Sequence, residues 1–393
     1  MKNNLFILTL IFCFFSQPFI FEAVFFNAFL SNIVKVILII ALIGRCKPFR
    51  FGKTESSIML FLMVYFFIQM VINTVYIKQV FIVLPDIIFV FIILFLLSKN
   101  KTQSASFLNL EIKLSVFIAA LIIISKLAFT YTPSLFSSRE IGGYPTFFNY
   151  LLGLVNPGKD RPSWFFAEPS YSGFYLGLNF ILLTQEKYPS LYKKIVHLII
   201  IGAAIYSTAS MGTYAYILLS LPFLLLNRTR VNKNFITLGV AVAIYAVLLI
   251  SSSYDLFLID QDLFDLESHG VGGRQDRMAN AEAVMASGSF LNVLFGHGLE
   301  CVTFLYKEGI SDAYHKLYCE WGLLFTIAFF YFVWKLTRKN VAAFVFIAAS
   351  YFSICIHMSP IIMIIYYLIY YQSVALEEEN EKRIIIKQLK FRK

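Results

Sequence analysis

The sequence predicts an all-α polytopic membrane protein with about twelve transmembrane helices and two large outer loops, the second partly helical. Three observations predict it. Hydrophobic residues make up 59% of the 393 and charged residues only 14%, whereas ordinary soluble domains carry about 25% charged residues. Apolar runs close to the roughly 20 residues that cross a bilayer recur along the whole chain. Basic residues gather in the short connectors between these runs, the positive-inside signature of cytoplasmic loops.

Taken in order, the spans fall at approximately 4–22, 24–43, 57–76, 79–97, 113–131, 170–185, 195–210, 212–227, 235–253, 319–335, 341–356 and 359–375, and form one integral membrane domain over 1–393. Lys2 precedes the first run, Gln17-Pro18 interrupts it and no small-residue cleavage site follows, so a retained helix is expected rather than a signal peptide. The basic connectors are Arg45 to Lys53, Lys99 to Lys113, Lys187 to Lys194, Arg228 to Lys233 and Lys335 to Lys339. An N-terminus on the inside puts all of them in the cytoplasm. They account for most of the net charge of +10 without a nucleic-acid partner. Both termini are then cytoplasmic, and the tail 377–393, acidic at first and basic at its end, reads as solvated or interfacial. The loops 131–169 and 254–318 fall outside. Each exceeds the roughly 12–15 residues beyond which loops are usually functional or disordered. Met278, Ala281, Val284, Met285 and Leu291 have helical apolar spacing, so the second loop is expected to contain a helix.

The first loop ends in the stretch from Arg161 to Gly173, with Glu168-Pro169 at its centre, before apolar sequence resumes at Phe174. Hydrocarbon tolerates such backbone and charge only where they line a cavity or meet water. Pro169 also suits a first helical turn, where Glu168 would sit at the positive end of the helix dipole. The second loop offers Arg274 and Arg277 beside Gly270, Gly272 and Gly273, then Gly296-His297-Gly298, then Asp312-Ala-Tyr-His315 leading to Glu320-Trp-Gly322. Guanidinium binds phosphate bidentately and glycine lets backbone N–H groups approach it. A nearby histidine can serve as a base at neutral pH. Plainer readings stand beside these: Arg161 as an interfacial anchor, Arg274 and Arg277 as balance for the acidic segment before them, His297 as a turn residue. Lys35 and Lys126 lie within apolar runs. Lys126 is near enough to an end to snorkel, while Lys35 needs a partner in the bundle, for which Asp86 beside Pro85 is one possibility. Cys301 and Cys319 share the second loop, and spacing leaves open whether they pair. No Walker loop, metal-ligand spacing or Gly-x-Ser-x-Gly elbow occurs, and the glycines at 270–273 lack the strand–turn–helix setting of a dinucleotide site.

Three of these stretches resemble the O-antigen polymerases and the related O-antigen ligases, polytopic proteins of bacterial surface-polysaccharide assembly. They are Arg161 to Gly173 with Phe166-Ala-Glu-Pro-Ser170, Gly273-Arg274 followed by a helix and Leu294-Phe-Gly-His-Gly298, and Asp312 to Gly322. The polymerases carry an arginine, ten residues and a glycine in each large outer loop. Arg277 and Gly288 have this spacing, and Arg161 and Gly173 exceed it by one residue. Met211 stands where ligases often carry an arginine, and Lys316 replaces an asparagine that commonly follows the loop histidine, which favours polymerase over ligase. The resemblance implies a glycosyltransferase of the plasma (inner) membrane. It would join undecaprenyl-diphosphate-linked repeats into O-antigen or capsule at the outer face, with no nucleotide, metal or other cofactor. Arg161, Arg274 and Arg277 would bind the pyrophosphate and glycan, with His315 as base and Glu168 as second choice. The expected partners are the lipid-linked glycans, membrane lipid, and a chain-length regulator and flippase of the same pathway. The rival functions are transfer of finished glycan to another acceptor, or transport of the lipid-linked oligosaccharide.

Overall fold

A computed structural model describes residues 28–45, 52–73, 77–131, 169–186, 190–208, 210–226, 272–306, 313–351 and 359–391, with positions 9, 233, 236, 237, 239, 310 and 354. Among these the secondary structure is helical throughout, with no strand. The helices are α1 (Ala28–Arg45), α2 (Lys53–Ile72), α3 (Ile77–Ser98), α4 (Lys101–Tyr131), α5 (Pro169–Gln185), α6 (Leu191–Ser207), α7 (Met211–Ser220) and α8 (Phe223–Leu226). After the second loop region begins, they are α9 (Gly272–Ala286), α10 (Phe290–Phe295), α11 (Cys301–Tyr306), α12 (Ala313–Lys316), a π-helical turn (Leu317–Trp321), α13 (Gly322–Thr337), α14 (Val341–Ser350) and α15 (Pro360–Phe391).

Among the described residues, three stretches, Lys101–Leu127, Ala313–Thr337 and Pro360–Glu379, are long and apolar enough to cross a membrane. The expected spans that fall mainly on described residues overlap helices, while 4–22 and 235–253 lie outside them apart from positions 9, 236, 237 and 239. The ends of two helices differ from expectation. Helix α4 begins at Lys101, so Lys113 is an exposed residue on a helix rather than part of a connector. Helix α15 runs unbroken through the expected tail as far as Phe391.

Helices α5, α14 and α15 form the centre. Phe174 to Leu178 on α5, Val341 to Ala348 on α14 and Ile364 to Ile369 on α15 are buried. Among helices in lipid such contacts act through close packing rather than water exclusion. The Phe174 ring stacks on Phe346 with centroids 5.4 Å apart. The outer helices are apolar on their exposed faces instead: Ile37 and Ile40 on α1, Leu60 and Phe67 on α2, Ile199 on α6. A water-soluble protein rarely leaves so broad an apolar surface uncovered, and hydrocarbon supplies its natural solvent. Lys35 of α1 is buried and forms an ion pair with Asp86 of α3, next to the in-helix Pro85. The pair satisfies the one charge that the sequence places deep in α1.

The two ends of the bundle are chemically distinct. Lys101 pairs with Glu378, Lys339 with Glu377, and Gln185 accepts a hydrogen bond from Asn340 at 3.1 Å. These contacts gather the start of α4, the end of α5, the junction of α13 and α14, and the middle of α15 at a basic end. The starts of α5 and α13 therefore lie at the opposite end, about 24 Å away along the 16 residues of α13.

Candidate functional site

The end opposite the basic one is capped by α9 to α12 and the π-turn. Its framework is a crossing of two broken helices. Ser289 caps α10 and exchanges hydrogen bonds with Asn292 in a capping box. The helix stops at Gly296, whose φ of 86° is in the left-handed region, and the chain then crosses the π-turn. There the His297 N–H donates to the Cys319 carbonyl at 2.8 Å. Gly322, with φ 75°, opens α13 directly against Gly296. A Cβ on either glycine would run into the other segment's backbone. Only glycine permits both this conformation and this approach.

Breaking two helices side by side leaves their terminal carbonyls without intrahelical partners. Helix α2 supplies them. Tyr65, Gln69 and its C-cap Asn73, spaced four residues apart, form a polar ladder along one face. Tyr65 donates to the Trp321 carbonyl, and Gln69 donates to the carbonyls of Phe295 and Glu320. Asn73 donates to the Gly296 carbonyl at 3.2 Å and to the Gln69 side chain at 2.9 Å. The Trp321 ring stacks on Phe325 with centroids 4.4 Å apart, beneath Tyr65. A period-four polar stripe in an apolar span was the available sequence signal for this ladder.

Beside the crossing lies a charged cluster. Lys316 reaches Glu300 at 3.3 Å and Glu320 at 3.6 Å. Glu320 is 2% exposed, a carboxyl held inside the π-turn. Such turns, with one residue more than an α-helical turn, recur at functional sites. Glu300 has φ 61°, a strained conformation for a residue with a side chain, which costs about 1–2 kcal/mol. Thr303 donates to its other oxygen at 2.9 Å. The Lys316 charge beside it holds the Glu300 carboxyl below the ordinary range, against the opposing effect of burial.

Two histidines flank the cluster. His315 is buried, and its Nε2 lies 3.6 Å from Glu282 of α9, which gives the imidazole a carboxylate with which to share a proton. The Nδ1 of His297 is 3.3 Å from the Cys319 carbonyl, which can only accept, so Nδ1 carries the hydrogen. Its Nε2 is buried against Gly288, with no hydrogen-bond partner among the described residues. Burial holds this imidazole below its ordinary value. A side chain at 288 would displace the ring, which gives a physical reason for the glycine that follows Arg277 by the noted spacing.

Of the residues singled out by sequence, His315 lies in this site, and Arg274 and Arg277 occupy the first two turns of α9, their side chains outside the described residues. Helix α9 docks through Ala281 and Val284 onto Cys301, Val302, Ile310 and Cys319, and through Glu282 onto His315. Arg161 and Glu168 lie outside the described residues, though Pro169, next to Glu168, opens α5 at this same end. Glu282, Glu300 and the Tyr65–Gln69–Asn73 ladder were not singled out by sequence reasoning. No family model, curated protein or solved structure matches the chain.

Proposed function

We propose that the chain polymerises undecaprenyl-diphosphate-linked oligosaccharide repeats into a surface polysaccharide, O-antigen or capsule, at the outer face of a bacterial plasma membrane. The observation that carries this reading is the convergence at one end of the bundle. The start of α5, the arginine-bearing helix α9 and buried His315 with its exposed partner Glu282 share the end opposite the basic connectors. With those connectors in the cytoplasm, the polar cap faces outward, where a lipid diphosphate lies with its chain in the membrane and its glycan in water.

In the proposed reaction, an acceptor sugar hydroxyl attacks the anomeric carbon of the donor glycan. The new glycosidic C–O bond forms as the bond from anomeric carbon to phosphate oxygen breaks. Undecaprenyl diphosphate leaves with the electron pair, and the hydroxyl proton passes to His315 Nε2. Negative charge grows on the leaving diphosphate, so Arg161, Arg274 and Arg277 would act where contacts strengthen in the transition state. Lys316 is engaged by Glu300 and Glu320 and serves to position the cap rather than to bind the donor. Glu168 would remain available as a second proton acceptor.

The test is reconstitution of the purified protein with lipid-linked repeats. Chains longer than one repeat should form, and His315→Ala and Arg277→Ala should each lower the rate by about 100-fold or more. Transfer of finished glycan to a different acceptor, or movement of lipid-linked repeats without joining, would overturn the reading.

A further inference from the structure

We propose that Cys301 and Cys319 are joined as a disulfide that staples α11 to the π-turn. The two Sγ atoms lie 3.6 Å apart and the residues are 1% and 0% exposed. Both are free thiols in this structure. A bond requires the sulfurs to close to about 2.05 Å, a movement within reach of small side-chain rotations. The pair belongs to a separate small core of Ala281, Val284, Cys301, Val302, Ile310 and Cys319. That core docks α9 onto α11 and the π-turn, and a core so small is the setting in which extracytoplasmic segments rely on cross-links.

Position gives the bond a consequence. Glu300 precedes Cys301 and Glu320 follows Cys319, so the cross-link ties together the two backbones that hold the carboxylates on either side of Lys316. The Cys319 carbonyl is also the acceptor for the His297 N–H. A single bond would thus fix both the cluster and the crossing.

Chemically, a thiolate of the pair attacks an external protein disulfide of the thiol–disulfide oxidoreductase class and forms a mixed disulfide. The second cysteine's thiolate then displaces the external thiolate. Two protons and two electrons leave the pair, and the external disulfide becomes two thiols. In the folded protein the Cys301 thiol is raised above its ordinary range by its hydrogen bond to Cys319 and by burial, so it attacks poorly. Oxidation therefore belongs to the interval before the cap docks, and the finished bond is shielded from reductant.

The inference rests on the outward orientation of the cap, since cytoplasmic thiols stay reduced. Native membranes are denatured in N-ethylmaleimide without reductant, digested and analysed by mass spectrometry. The expected result is a linked pair of peptides carrying Cys301 and Cys319, about 2 Da lighter than the two thiols together, that separates on reduction. Both cysteines carrying maleimide would overturn the proposal. A linked pair in a protein that joins no repeats would uphold the cross-link and overturn the polymerase reading alone. Maleimide on both cysteines of a protein that does join repeats would overturn the cross-link alone.

Discussion

The two ends of the bundle hold their charges in opposite ways. At the basic end, Lys101–Glu378 and Lys339–Glu377 are separate, partly exposed pairs that join α15 to the start of α4 and to the turn between α13 and α14. At the cap, one lysine lies between a strained glutamate and a buried one, on backbone interrupted at Gly296 and Gly322. Exposed pairs contribute about 0–1 kcal/mol and tolerate exchange. Buried ones contribute little net stability but cost several kcal/mol when one partner is lost. The basic end is thus tolerant of sequence change, whereas the cap depends on its complement being whole.

Four experiments would break or sharpen this contrast. The largest effect is expected from Gly322→Ala, which drives a Cβ into the Gly296 backbone at a positive φ. It should cost roughly 3 kcal/mol or more, read as loss of monodisperse protein in detergent. Next, Lys316→Met leaves Glu300 and buried Glu320 without their cation and should cost about 3 kcal/mol. Adding Glu320→Gln should recover much of the loss in thermal midpoint; an unrecovered midpoint would mean that the lysine acts through packing alone.

A smaller effect concerns pH. The His297 imidazole is held below its ordinary 6.5 by burial. Its contribution is complete above that value and is lost as pH falls toward the depressed folded one. Glu300 is held below its ordinary 4.5, so its contribution is complete above 4.5 and fades only in stronger acid. Between about pH 7.5 and about pH 5.5 the thermal midpoint should therefore fall, and the fall should shrink in His297→Gln. The smallest effect belongs to Lys101→Ala at the opposite end, within about 0.5 kcal/mol of the parent.

Much of the helical layout was legible because hydropathy and charge are local properties: an apolar run flanked by lysines needs no distant partner to be recognised. The Lys35–Asp86 pair was legible for a related reason, since an ionisable group in an apolar run demands a counter-charge and few were on offer. His315 and the glycines around His297 were visible as polar breaks in pattern. Tyr65, Gln69 and Asn73 were legible only as a period-four polar stripe, which by itself does not say what the stripe meets. Their meaning lies in carbonyls 223 to 256 residues away. Glu300 was equally opaque, as its distinguishing feature is a backbone angle. Arg161 and Glu168 lie beyond what the described residues address.

The ladder on α2 has a consequence for biogenesis. Its carbonyl partners are synthesised more than 220 residues later, which at typical elongation rates is roughly 10–45 s. Throughout that interval a newly inserted α2 exposes a tyrosine, an amide and a second amide to lipid, insertase or chaperone. A nascent chain that stalls before Phe295 would keep that stripe exposed, a ready mark by which a membrane protease could tell unfinished copies from finished ones.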